Sequence, residues 1–345
     1  AQPPRQPPVR NAIGWSSPLR PPGERTLFAR LGVFVGGFSL ESAESVCNAD
    51  GRLDVFAGVE TLLRNSLLRQ VESPDDEPRF DMLLTIRDYA LEKLEERDEL
   101  AARRTDHAAH FVQRAMQDYA AIYSEQALPI ILGVEADHDN FRAAMRWSLA
   151  EGGDPLGASW IVIFLMWFWY RRGYLQEGRK LAERIIQATE AIGGIPHGMA
   201  LNAGGMLALW LGESELSIER NHASLTLAQQ SGFPLGITMG HFTYGVSLLN
   251  GGRDKEAYGQ LTMAAEMFDE VASGWDKVNT LIHLANASLG LGETKQAETW
   301  LRQAMPMAES VGDPWQIAFC HNNFGEVARV RGDYERARGY YERAE

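Results

Sequence analysis

Residues 322–345 read NNFGEVARVRGDYERARGYYERAE, two amphipathic stretches broken once, at Gly332. Glycine accepts the left-handed backbone that a tight turn requires, so the segment reads as a helical hairpin. Working outward, the same break recurs at Gly173/Gly178, Gly212/Ser217, Gly252/Ala257, Gly292/Ala297 and Gly332/Ala337, a glycine followed five residues later by a small residue. The leading glycines are 39, 40, 40 and 40 residues apart. A lone hairpin cannot bury its apolar face and must stack on its neighbours. The spacing therefore predicts a right-handed superhelix of about five helix pairs over residues 157–345, the last pair truncated, with Gly212, Gly252, Gly292 and Gly332 in turns.

The last unit resembles the tetratricopeptide repeat: Phe324-Gly325, Gly332, Tyr334, Ala337, Tyr341 and Ala344 fall at that motif's spacing. Its physics is close packing. Gly325 and Ala337 lack bulk, so the two helices approach, and Phe324 and Tyr341 fill the space left. The units before it match through Leu284-Ala285, Gly292, Ala297, Leu301 and Ala304, and through Tyr244-Gly245, Gly252, Ala257, Leu261 and Ala264. The earliest two are weaker, with Gly204-Gly205 and Leu165-Met166 at the packing pair. A 40-residue period exceeds the usual ~34 of this repeat, so each pair is longer by more than a turn.

Upstream, ERTLFARLGVFVGGFSLESA (24–43) reads as a helix ending near Gly36-Gly37, then a second helix N-capped by Ser39. A third helix spans about Asp54 to Asn65. SLLRQVE and PRFDMLL, joined by SPDDE, read as a two-stranded hairpin. A long helix, TIRDYALEKLEER, follows. Three helices and a hairpin give the order of a winged helix, a helix-turn-helix variant that often binds DNA. The third helix, however, offers Asp54, Glu60 and one Arg64, while Phe56, Val59, Leu62 and Leu63 want burial. A major-groove reader needs base-contacting Arg, Asn or Gln, so a protein-contacting winged helix fits better. The fold class expected is mainly α, a winged-helix domain with an N-terminal arm (1–100), bridging helices (101–156) and an α-α superhelix of tetratricopeptide-like repeats (157–345).

RQPPVRNAIGWS, LFARLGVFVGGFSLESAESVC, FDMLLTIRDYALEKL, EADHDNFRAAMRWSLAEG and WFWYRRGYLQEGRKLAERI together resemble the region downstream of the nucleotide-binding module in bacterial signal-transduction ATPases of the apoptotic-protease-activator and maltose-regulator type. The resemblance implies a switch in which a winged helix packs on a nucleotide-binding core and a superhelical sensor receives an inducer. Many such proteins regulate transcription. No GxxxxGK[ST] phosphate loop occurs in this sequence, so the ATPase module lies outside it, its own upstream nucleotide-binding module being the expected partner. Related switches carry a Met-His-Asp motif in the winged helix; Met82-Leu83-Leu84 stands at that place and supplies no imidazole. The alternative is a free-standing repeat scaffold that assembles other proteins.

A net charge of -13 opposes broad binding to a phosphate backbone, although residues 1–30 hold five arginines against Glu24. Cys47 and Cys320 make no metal-ligand or disulfide spacing, which fits a reducing, cytoplasmic setting. The uncharged run Leu156–Tyr170 is 15 residues, short of the ~18 that a membrane span needs, and reads as a buried helix. AQPPRQPPVRN lacks the apolar core of a signal peptide and an initiator Met, and the chain stops inside a helical pattern; both ends look cut from something longer. No cofactor, catalytic constellation, membrane contact or direct nucleic-acid contact is expected of this chain, which reads as a binding module and not an enzyme.

His107 with His110, and Glu135, Asp137, His138 and Asp139, could suggest metal ligands, but no second ligand set is identifiable and solvated polar faces are the expectation. His241 and His321 sit beside the packing pair and read as packing residues. Aligning the repeats places Trp160, Trp167 and Tyr170, then Met199, Asn202, Met206 and Trp210, then Met239 and Phe242 on the inner face of the first helices. Asn279, Asn286, Asn322 and Glu326 continue that line. Either these residues pack between helices, or they form an apolar, amide-lined groove for a peptide or small apolar effector, with Asn202 orienting it. A carboxylate clamp of the co-chaperone kind is disfavoured, because Ile282 and Asn286 stand where a lysine is needed.

Overall fold

The computed structural model describes residues 22–74, 77–123, 127–150, 152–271 and 274–344. The N-terminal arm with Arg5, Arg10 and Arg20, and the RQPPVRNAIGWS segment, lie outside the described residues. The chain forms two compact units, one of Ala1–Arg114 with Ile131–Ile161 and one of Ala115–Ile130 with Val162–Glu345. The stretch 101–156 is thus shared between them.

The first unit opens with α1 (Pro22–Leu31), β1 (Phe38–Ser39), α2 (Leu40–Cys47), α3 (Val55–Arg64), β2 (Arg69–Val71), β3 (Arg79–Asp81) and α4 (Leu84–Glu95). Ser39 and Asp54 cap α2 and α3 by accepting from the backbone N–H of Ser42 and Ala57. The hairpin gains a strand that sequence did not show: the sheet order is β1-β3-β2, antiparallel, with Phe38 opposite Phe80 and Arg69 opposite Asp81. Two-residue β1 is too short to leave an alternating pattern. Helix α1 ends at Leu31, before Gly36-Gly37. Gly32 packs against Ala90 of α4, and the segment after it is held by side chains instead of helical bonds, Arg87 Nε donating to Phe34 O and Val35 N donating to Asn140 Oδ1. Phe56, expected in the core, is 62% exposed; Val59 and Leu62 are buried and Leu63 half-buried.

Three further helices follow, α5 (Leu100–Asp118), α6 (Ala127–Ala136) and α7 (His138–Ser148). The polar cluster on them is not the solvated face anticipated. Asp137 is fully buried, and His107, His138 and Asn140 are buried with it, while Asp139 is exposed. Arg79 of β3 and Arg114 of α5 both pair with the Asp137 carboxylate. Burial works against that charge, but the Arg114 and Arg79 guanidiniums hold the carboxyl below its ordinary range. Asn140 donates to Gly37 O and to Asp137 Oδ1, so one polar hub ties α7 to β3 and to the Gly36-Gly37 turn. Such a hub is stable because each member has a partner.

Five helix pairs follow, all but the opening turns of α8 belonging to the second unit: α8 (Pro155–Arg172) with α9 (Leu175–Thr189), α10 (Gly194–Trp210) with α11 (Ser214–Ser231), α12 (Pro234–Asn250) with α13 (Asp254–Val271), α14 (Gly274–Gly290) with α15 (Thr294–Val311), and α16 (Pro314–Val330) with α17 (Tyr334–Tyr341). The turn glycines lie where the spacing puts them. Gly173, Gly212, Gly252, Gly292 and Gly332 all have φ between 72° and 83°, and none interrupts a helix. From α10 to α15 each helix is 17 or 18 residues, which accounts for the long period. At the packing pair, a Cβ on Gly325 would stand 2.4 Å from the Tyr341 ring, so glycine sets the helix separation. The core runs through Leu261, Leu281, Leu284, Ala285, Ala297 and Leu301. Both cysteines are free and buried, and burial pushes the Cys320 thiol up to about 12. Among the described residues no helix is long and apolar enough to cross a membrane.

Candidate functional site

The first helices of all five pairs meet around one cavity of about 290 Å³. Helix α8 contributes Ile163, Met166, Trp167 and Tyr170; α10 contributes Asn202, Met206, Leu209 and Trp210; α12 contributes residues from Met239 to Asn250, Phe242 among them. Helix α14 adds Trp275, Asp276, Asn279 and His283, and α16 adds Trp315 and Phe319.

Aromatic rings form a connected wall. Trp167 stacks on Tyr170 at 5.2 Å, and Tyr170 lies 4.5 Å from Trp210. Edge-on contacts at 5.9 Å join Trp167 to Trp275 and to Trp315, so the first pair touches the fourth and fifth across the cavity. The wall continues through Trp315–Phe319, Phe319–His283 and His283–Phe242. Trp275 is itself held in place: its Nε1 donates to Asp313 Oδ2 at 2.7 Å, and its carbonyl accepts from Gln316 Nε2.

The polar side of the cavity divides into satisfied and unsatisfied groups. Asn202 donates through Nδ2 to Thr243 Oγ1 at 2.7 Å and to Asn221 Oδ1 at 3.4 Å, and Asn221 donates to Ser247 Oγ at 2.8 Å. The Asn202 amide nitrogen is thereby committed to a bridge between pairs, which leaves its carbonyl oxygen for any ligand. Asn279 Oδ1 and His283 Nδ1, by contrast, are sealed and unpartnered. Burial alone pushes the His283 imidazole down to about 4, so it is neutral at neutral pH.

Of the residues aligned on the inner face, Trp167, Tyr170, Asn202, Met206, Trp210, Met239, Phe242 and Asn279 come together, whereas Trp160, Met199, Asn286, Asn322 and Glu326 do not line the cavity. Glu326 is instead engaged by Tyr341 and Arg329. The reason is the twist of the array. The lining band sits toward the C-terminal part of α8 and α10 and moves to the N-terminal part of α14 and α16, so it crosses equivalent positions obliquely. Trp160 and Met199 are the equivalents of Met239, Asn279 and Phe319, which do line it. A repeat alignment assumes a constant band, which is why Trp275, Trp315 and His283 escaped it, whereas Phe319 stands at the Asn279 position and was passed over in the last pair.

The polar residues of the first unit are otherwise occupied. His107 Nε2 bonds Asn140 Oδ1 at 3.1 Å, and His110 bonds Ser42 and Ser45. Among the described residues no group of three His, Cys, Asp or Glu side chains is placed to hold a metal ion. On α3 the exposed face carries Phe56, Ala57, Glu60 and Arg64, the last donating to Thr61 Oγ1.

Fold and site together define a winged helix-turn-helix domain followed by a tetratricopeptide array with an aromatic inner cavity. Residues 21–95 match the winged helix-turn-helix domain family, and residues 276–345 the tetratricopeptide repeat family. The chain is similar to proteins of Mycobacterium bovis and Mycobacterium tuberculosis provisionally named HTH-type transcriptional regulators, 26% identical over 326 residues. That match covers 92% of this chain but 36% of the relatives, so the chain spans about a third of their length. In structure it is similar to a Signal Transduction ATPase with Numerous Domains (STAND) protein with a tetratricopeptide repeat sensor from Pyrococcus horikoshii. The TM-score is 0.56 at 12% identity, covering 96% of this chain and 51% of that one. A Rap protein complexed with Competence and Sporulation Factor aligns with TM-score 0.53 at 14% identity, over 75% of this chain and 69% of that one. At these identities the structural likeness bears on fold.

Proposed function

We propose that this chain is the winged-helix and sensor portion of a cytoplasmic signal-transduction ATPase that regulates transcription, and that an effector enters the cavity between the helix pairs. One observation carries this reading: five pairs spread over the repeat array converge on a single aromatic cavity, so a bound molecule touches every pair at once. A ligand that contacts all pairs in one arrangement and fewer in another shifts the array toward the first, which is what a sensor requires. The similarity to provisionally named transcriptional regulators supports the regulatory side of the proposal.

The winged helix serves in this scheme as a protein contact. Phe56, Leu83 and Leu84 are exposed apolar side chains, Leu84 at 69%, and the face of α3 is short of the amide and cationic groups that read base edges. The upstream nucleotide-binding module is the proposed partner. Chemistry belongs to that module, and the chain itself binds without catalysing, with no cofactor, nucleic acid or membrane of its own.

A chromosomal Trp210→Ala substitution in the full-length gene tests the reading. Trp210 is half-buried and its ring contacts are with Tyr170 and Trp167, so its loss costs less than that of a core ring, and an immunoblot sets the abundance at which the profiles are compared. The expected transcript profile matches that of a deletion strain; a wild-type profile at wild-type abundance would remove the cavity from the regulatory role.

A further inference from the structure

Two residues that line the cavity, Asn279 and His283, each hold a sealed polar atom that the protein leaves unsatisfied. Asn279 is 5% exposed, and its Oδ1 has no hydrogen-bond partner. One turn further along α14, His283 Nδ1 is equally sealed and unpartnered. Residues i and i+4 share a helix face, so both groups address the same side of the cavity. Buried groups of this kind are costly unless something completes them. Rotation about the terminal bond of Asn279 presents either end of its amide to the cavity, and a neutral imidazole offers one donor and one acceptor.

The charge of the wall narrows what can complete them. No lysine or arginine is among the described residues lining the cavity, and Asp276 is the one acid. Arg171 lies over the Trp167 ring at 5.3 Å but is exposed and outside the lining. An anion would enter without a counter-charge, and the deep groups that await a partner, an amide and an uncharged imidazole, balance no cation either. The rest of the lining alternates flat rings with aliphatic and methionine side chains such as Ile163, Met206 and Leu209, and the rings favour a planar guest by stacking.

We propose that the cavity takes a neutral, planar ring compound bearing an amide-like donor and acceptor, its rings against Trp167, Tyr170 and Trp210 and its polar edge on Asn279 and His283. The proposal rests on the effector reading and adds the class of molecule. A volume of about 290 Å³ suits a compound of two or three fused rings and is too small for a folded peptide.

Nine probes test it by isothermal titration calorimetry on the full-length protein: indole, naphthalene and quinoline, each bearing a carboxamide, a carboxylate or an aminomethyl group. The carboxamides should bind, with carboxylates weaker by about tenfold or more for want of any cationic side chain in the lining, and amines weaker by a similar factor because a cation drawn to Asp276 leaves the uncharged Asn279 and His283 without a matching donor and acceptor. Asn279→Leu and His283→Leu should each weaken the carboxamides by about tenfold while leaving unsubstituted naphthalene unchanged. Both variants should keep or raise the melting temperature, because an unpartnered polar group has been replaced by an apolar one. Equal or tighter binding of a charged series, or binding by none of the nine, would overturn the proposal, as would destabilisation of both leucine variants, which would make the two groups structural. If all nine fail while Trp210→Ala still reproduces the deletion profile, the sensor role stands and the ligand class alone is wrong.

Discussion

Trp167→Ala should destabilise the repeat unit strongly, and about twice as much as loss of the half-buried Trp210 ring. Trp167 is 7% exposed and its ring joins the first helix pair to the fourth and fifth. An indole that buries about 200 Å² at roughly 25 cal/mol per Å² is worth about 5 kcal/mol. Correcting by roughly a quarter for surface already hidden in the unfolded chain leaves about 3–4 kcal/mol, within the range for such truncations. Half-buried Trp210 should lose about half as much when changed to alanine. A second signature separates a bridging ring from an ordinary core residue. Stacked repeats couple mainly to nearest neighbours, and Trp167 adds a coupling between distant pairs, so its loss should lower the urea m-value as well as the midpoint. Urea unfolding followed by far-ultraviolet circular dichroism measures both. A loss under about 1 kcal/mol with an unchanged m-value would show that the rings merely touch.

Acid should weaken the first unit through His107, whose pKa burial pushes down to about 4 against the opposing hydrogen bond it donates to Asn140 Oδ1. The unfolded chain takes up the proton first, near its ordinary value of about 6.5, so stability is full above that pH and falls between there and about 4; melting temperatures across that range should drop, and His107→Leu should flatten the slope. Gly292→Ala should cost about 1–2 kcal/mol, because φ is 77° with open space around it, whereas Gly259→Ala, inside α13 with nothing near the new methyl, should stabilise by about 0.5–1 kcal/mol; thermal melts with opposite shifts are the check. The chain alone should neither turn over ATP nor retain duplex DNA sequence-specifically, for want of a phosphate loop and of base-reading side chains on α3. ATP turnover by a contaminant-free preparation, or salt-resistant DNA retention that depends on sequence, would contradict this.

What could be read from sequence was what is decided locally. The turn glycines are legible because a single left-handed residue must recur at each hairpin, and Ser39 and Asp54 because a cap needs only its own first turn. Gly325 and Tyr341 follow from one motif. What depends on distant partners was not legible. Asp137 looked solvated because Arg79 and Arg114, which neutralise it, lie 58 and 23 residues away. Strand β1 exists because Phe38 finds Phe80, not because two residues have a pattern. Phe56 was misplaced because an apolar residue on a short helix leaves its face ambiguous. In the cavity, Trp167 and Trp210 were found by period, but Trp275 and Trp315 face inward only because the array twists as it advances.

That oblique path separates two jobs that a strict repeat would fuse. The positions that set helix spacing, such as Gly245, Ala257, Gly325 and Ala337, recur in register along the chain, while each cavity wall is drawn from a different level of its helix. Substitutions at Trp275 or Phe319 therefore alter one wall without disturbing the shared spacing of the hairpins. A gene built from tandem copies can in this way change what it recognises one wall at a time, each change being tried on a scaffold whose assembly rules stay fixed.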